Sequence, residues 1–144
     1  MNVTFIVGLP GSGKTELARR EYVTQGYTLI DDPRTISVVR AEVLTAYAEG
    51  VGVVITDPHL IGPLHRGRAL GSIMKWLPRG TSFQWEWVYF ANDPEAAQAN
   101  IDRRADERGR INVMHFSHNY NIPVEGDYTF EEARFLPVWS PDAS

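Results

Sequence analysis

The stretch Gly8-Leu9-Pro10-Gly11-Ser12-Gly13-Lys14-Thr15 fits G-x-x-x-x-G-K-[ST], the pattern of a phosphate-cradling loop. Its setting turns the pattern into a physical claim. Val3-Thr4-Phe5-Ile6-Val7 precedes it, a β-branched and aromatic run that reads as a buried strand. Thr15 to Tyr22 comes after it and reads as a helix, running over about 14–25 and stopped by Gly26. Glycines at 8, 11 and 13 let the backbone wrap close to an anion, with successive N–H groups turned inward. The helix aims its positive end at the same point. Pro10 and Ser12 complete the turn, Lys14 reaches the outer phosphates, and the Thr15 hydroxyl suits Mg²⁺. The ligand implied is a nucleoside triphosphate, ATP or GTP, with Mg²⁺.

Outward from the loop, strands and helices alternate. Tyr27 to Ile30 reads as a second strand, ending at Asp31-Asp32-Pro33-Arg34. Asp32 is expected to cap the next helix with Pro33 in its first turn, and Ile36, Val39, Val43 and Tyr47 share one helical face. Gly50 ends that helix, and Val51 to Ile55 forms a third strand that closes on Thr56-Asp57. A helix is expected from Pro63 to about Leu77, and a fourth strand from Phe83 to Phe90, with Trp85 and Trp87 packing on the sheet. Asp93 and Pro94 open a further helix ending near Gly109, and 111–119 reads as helix again. After Pro123 the acidic, aromatic tail receives no assignment beyond a capping-box pattern at Thr129 to Glu132. The fold class expected is α/β: a parallel sheet of four or five strands flanked by helices, as one domain over 1–144.

Composition narrows the function. The 144 residues carry a net charge of −4, all of it in the second half, so the chain lacks the basic balance of a protein that coats nucleic acid. A polyanionic partner must be gripped locally. Without cysteine there is neither disulfide nor thiolate metal site. No apolar run approaches the ~20 residues that span a bilayer, and the N-terminus enters the first strand at once. A cytoplasmic protein with no membrane partner is expected.

On a parallel sheet, ligands bind beyond the carboxyl ends of the strands. The loop, Asp31, Asp57 and Asn92 all come directly after strand ends, so they are expected to share one rim. Asp57 is placed to hold Mg²⁺ or bond Thr15, or else simply to cap a turn before Pro58. Asp31 is placed to act as general base toward an acceptor hydroxyl, and Arg34 to clamp an acceptor phosphate. Arg104 and Arg108, four apart on one helical face, are placed to neutralise charge on a transferred phosphoryl group; Arg103 and Arg110 read as surface. His115 and His118 read as polar surface rather than metal ligands.

Over about residues 1–123 the chain resembles the kinase domain of polynucleotide 5′-kinases, within the wider phage-type P-loop kinases. The resemblance lies in the loop, in Asp31-Asp32-Pro33-Arg34 as that family's D-D-x-R, in Gly52 to Asp57 as its G-V-I-I-S-D, in an arginine-bearing lid over about 94–120, and in Asn121-Ile122-Pro123 as a final N-x-P. It implies Asp31 as general base, Arg34 and Asp32 toward the acceptor, Lys14 and Thr15 toward donor and Mg²⁺, and Arg104 and Arg108 as lid arginines. It implies a nucleic acid or nucleotide acceptor, either a DNA 5′-hydroxyl or a hydroxymethylated base as in related phage DNA-modifying kinases. Two other readings stay open: a kinase of free nucleosides or metabolites, and a non-kinase switch that binds a nucleoside triphosphate.

Overall fold

Three of the strands read from the sequence are runs buried on both faces, and such runs pair in parallel under helical cover. The computed structural model describes residues 1–104, 107–124 and 133–141, with the backbone alone over 107–112. Strands β1 (Asn2–Val7), β2 (Thr28–Asp31), β3 (Val53–Thr56), β4 (Gln84–Phe90) and β5 (Ala133–Leu136) form one parallel sheet in the order β2-β3-β1-β4-β5. The register sets Ile6 and Asp31 both opposite Thr56, and Val7 opposite Tyr89. The loop after β1 and the chain ends after β2 and β3 therefore leave the sheet at one level.

Period-two alternation sorts the core into two layers. Val3, Phe5, Val7, Val53, Ile55, Trp87 and Tyr89 face α2 (Ile36–Glu49) and α3 (Pro63–Trp76). Ile6, Val54, Val88 and Phe90 face Leu17, Ala18 and Tyr22 of α1 (14–25). Trp87 stacks on Phe5 with ring centroids 4.2 Å apart, and Trp85 stacks on Phe83 at 5.3 Å, so both tryptophans pack the sheet as expected. A third cluster (Leu9, Ala97, Ile101, Val113) joins the phosphate loop to α4 (Pro94–Arg104) and α5 (Glu107–Asn119).

Several local expectations change. The first helix does run over 14–25, but its pitch widens to a π turn at Ala18–Tyr22 and tightens at Val23–Gln25. Asp32 does not cap α2. It adopts φ 43° and donates its N–H to Thr56 O at 2.7 Å, which prolongs the ladder; Thr35 caps instead, its hydroxyl accepting from Val38 N at 3.3 Å. The buried face of α2 is Val43 and Ala46, while Ile36 and Tyr47 are exposed, because only the C-terminal half of this helix lies on the sheet. Gly109 does not end a helix as expected: it lies inside α5. The tail supplies β5, which the sequence left unassigned. The capping-box pattern at 129–132 lies outside the described residues.

Buried Arg66 braces the rim. Its Nη1 donates to Leu60 O, Ile61 O and Asn121 O at 2.9–3.0 Å, its Nη2 to Asn121 Oδ1 at 2.7 Å, and its guanidinium lies 5.4 Å from the Tyr89 ring centre. It joins α3, the Pro58–Ile61 turn and the chain just beyond α5.

Candidate nucleotide and phosphoryl-transfer site

The loop takes its shape from what presses on it. Leu9 is fully buried against Ala97 and Ile101, so α4 lies directly on the turn. Gly11 has φ 81° and Gly13 φ 108°, conformations that side chains strongly disfavour. Ser12 N donates to Leu9 O at 3.1 Å, which closes the turn, and Leu17 N donates to Gly13 O at 3.0 Å, which opens α1. The N–H groups of Gly13, Lys14 and Thr15 stand at the start of that helix, where no intrahelical acceptor exists and an anion is favoured.

Lys14 folds back on the loop, its Nζ donating to Gly8 O at 2.9 Å and Leu9 O at 2.8 Å. Burial lowers its pKa from 10.5 to about 8; Asp31, Asp32 and Asp57 pull it back up, and Arg104 pushes it down. Those four charges therefore lie within electrostatic reach of the lysine. Asp31 Oδ1 accepts from Thr15 Oγ1 at 3.2 Å and from Thr56 Oγ1 at 2.5 Å. The carboxylate that closes β2 is thus tied to the last residue of the phosphate loop. A threonine hydroxyl beside a carboxylate is an oxygen donor set that suits Mg²⁺.

Asp57 takes the capping role weighed from the sequence: its Oδ1 accepts from His59 N at 2.9 Å and lies 3.0 Å from His59 Nδ1, at the head of the Pro58–Ile61 turn. Asp32 and Arg34 are exposed beside Asp31. Arg104 is exposed on α4, and the side chain of Arg108 lies outside the described residues. His115 and His118 are exposed, and no cluster of three metal-binding side chains occurs among the described residues.

Sequence reasoning missed Thr56, Asn100 and Trp139. Thr56 was read only as the end of a strand. Asn100 is one polar residue in a polar helix, and Trp139 lies in the unassigned tail; neither carries a motif. Both touch the loop: Asn100 Nδ2 donates to Gly11 O at 2.8 Å, and Trp139 N donates to Ser12 O at 3.0 Å. A small pocket of about 170 Å³ opens beside them, between Gly13, Leu17, Phe90 and Trp139. A cavity of about 1070 Å³ lies at the opposite end of the sheet, by Thr4, Tyr22 and Glu86.

A parallel five-stranded sheet in this order, with a glycine-rich loop between β1 and α1 and Lys14 folded into it, is the P-loop nucleoside-triphosphatase fold. The chain is similar to a gluconokinase from Sinorhizobium meliloti 1021, with a TM-score of 0.61 and 13% identity, covering 97% of this chain and 84% of that one. A de novo designed protein of the P-loop NTPase fold also matches, with a TM-score of 0.40 and 14% identity over 82% of this chain and 91% of that one. No family model and no curated protein sequence matches the chain. The resemblance to polynucleotide 5′-kinases therefore rests on the motifs alone. Among the described residues no helix is long and apolar enough to cross a membrane.

Proposed function

We propose that this chain is a P-loop phosphotransferase that moves the γ-phosphate of ATP or GTP to a hydroxyl of a nucleic acid or nucleotide. The observation that carries the reading is the bond from Thr15 to Asp31, which holds the carboxylate that closes β2 against the last residue of the phosphate loop.

In this reading the loop amides and Lys14 hold the donor phosphates; Lys14 leaves Gly8 O and Leu9 O to do so. Thr15 and Asp57 would hold Mg²⁺, which would neutralise phosphate charge when bound. Asp31 Oδ1 is occupied by two hydroxyls, so Oδ2 receives the acceptor proton. The acceptor oxygen attacks the γ-phosphorus, the bond from that phosphorus to the bridging oxygen breaks, and the nucleoside diphosphate leaves with the electron pair. Arg104 and Arg108 neutralise the group in transit, and Arg34 with Asp32 grips the acceptor.

A kinase of a small metabolite is the second reading, and the gluconokinase likeness favours it. Incubation with ATP labelled at the γ-phosphate and with DNA bearing 5′-hydroxyls, DNA carrying hydroxymethylated bases, free nucleosides, or sugar acids separates the two. Label in DNA of either kind supports the first reading, and label in a free nucleoside counts toward the second. Label only in a free metabolite supports the second, and hydrolysis indifferent to every acceptor defeats both.

A further inference from the structure

A phosphate loop works when its peptide planes are held one way round, N–H groups inward and carbonyls outward. Outward carbonyls that are buried need donors of their own. Here the donors come from outside the loop. Gly11 O accepts from Asn100 Nδ2 at 2.8 Å, and Ser12 O accepts from Trp139 N at 3.0 Å. The second hydrogen of the same Asn100 amide goes to Trp139 O, at 2.7 Å. The amide oxygen accepts from Arg103 Nη2.

Asn100 is 5% exposed and lies on α4 between Ala97 and Ile101, the residues that pack on Leu9. An asparagine amide offers two N–H donors and one carbonyl, and here all are engaged. Turning the amide over would face its oxygen toward two carbonyls, so its orientation is fixed. One side chain thus joins three segments far apart in sequence: the phosphate loop, α4, and the strap beyond β5.

We infer that Asn100 is a positioning residue for the phosphate seat. It fixes the Gly11 carbonyl against the Trp139 carbonyl, so that the strap can engage Ser12 and the Gly13 N–H is left pointing inward before any ligand arrives. Arg103, read from the sequence as mere surface, holds the amide in register. The inference rests on the reading of the loop as a nucleotide seat, but it concerns the shape of that seat and not the acceptor.

Two variants test it. Asn100→Asp is nearly isosteric and sets an acceptor against two carbonyls. Asn100→Ser replaces both N–H donors by one shorter hydroxyl that cannot serve two carbonyls, and adds no charge, so it remains informative if the first variant fails to fold. Two readouts are taken: amide hydrogen exchange of the nucleotide-free protein, and ADP affinity by competition with a fluorescent ADP analogue in the absence of Mg²⁺. The expected result is faster exchange at the Ser12 and Trp139 amides, unchanged exchange in β2 and β3, and ADP binding weakened roughly 10- to 100-fold. Arg103→Met shifts both readouts in the same direction by less. A general loss of stability would instead raise exchange across the whole sheet. Folded Asn100→Ser with unchanged exchange at Ser12 and Trp139 overturns the inference. If the unsubstituted protein binds no ADP, the nucleotide reading fails by itself. The exchange readout still decides the positioning role: faster exchange at the two amides supports it, and unchanged exchange defeats it.

Discussion

Substituting Gly11 by alanine tests how tightly the phosphate loop is pressed against α4. A methyl group at Gly11 would stand 2.8 Å from Ile101 Cγ1 and closer still to the Ala97 carbonyl oxygen. Backbone cannot step aside as a flexible side chain can. The residue also sits at φ 81°, where a side chain costs about 1–2 kcal/mol. Overpacking adds about 1–3 kcal/mol. The sum, about 2–5 kcal/mol, corresponds to a fall in Tm of roughly 5–15 °C for a chain of this size. Two other glycines separate the terms. Gly26 has φ 92° and nothing within 4 Å, so Gly26→Ala incurs the conformational cost alone, about 1–2 kcal/mol. Gly71 lies exposed within α3, also with open space around it, so Gly71→Ala stabilises by about 0.5–1 kcal/mol. Thermal unfolding followed by circular dichroism, with nucleotide binding measured alongside, reads all three. The ranking Gly11→Ala below Gly26→Ala below the parent below Gly71→Ala is expected. Gly11→Ala no less stable than Gly26→Ala, with nucleotide binding intact, would refute the contact between loop and helix.

Raising the pH acts on Lys14 in two opposite ways. Its folded pKa of about 8 lies below the unfolded 10.5, so between those values the unfolded chain holds more protons and this group's contribution to stability rises with pH. Phosphate binding needs the charged form, so affinity for ADP without Mg²⁺ falls up to about tenfold per unit above pH 8, as calorimetric titration across pH 7–10 should show. Thr35→Ala removes the α2 cap and lowers stability by about 1 kcal/mol, whereas Asp32→Gly relieves the φ 43° residue and raises it by about 0.5–1 kcal/mol; urea unfolding measures both. Arg66→Met strands the carbonyls of Leu60, Ile61 and Asn121 in the interior and costs about 2–4 kcal/mol by the same method, while an exposed control, Arg40→Met, stays within about 0.5 kcal/mol.

The sheet was legible because its inner strands alternate around a motif that admits few settings. Val3 to Val7, Val53 to Thr56 and the aromatic β4 are buried runs, and the Gly–Lys loop commits the chain after β1 to a helix. β5 was not legible: Ala133–Leu136 is four residues long, with Arg134 and Phe135 exposed, and its pairing with β4 comes from tertiary context. The cap of α2 went to Thr35 because Asp32 is drawn into the strand ladder by Thr56, a long-range bond that local rules cannot see. At the candidate site, Lys14, Thr15, Asp31 and Asp57 could be proposed from spacing and position after strands. Asn100 and Trp139 could not, since their roles consist of contacts with main-chain carbonyls across 89 residues in one case and the span from Ser12 to Trp139 in the other.

Asp31, bonded by Thr15 of the loop and by Thr56 of β3, is proposed to serve the transfer of phosphate and not the binding of nucleotide. Label transfer from γ-labelled ATP to the best acceptor, compared in the parent protein and in Asp31→Asn with ADP affinity measured in both, decides whether that assignment holds. The expected outcome is a loss of transfer of roughly 10²–10⁴-fold with ADP affinity nearly unchanged. Transfer at the parental rate in Asp31→Asn, or equal loss of transfer and affinity, would refute the role given to this carboxylate.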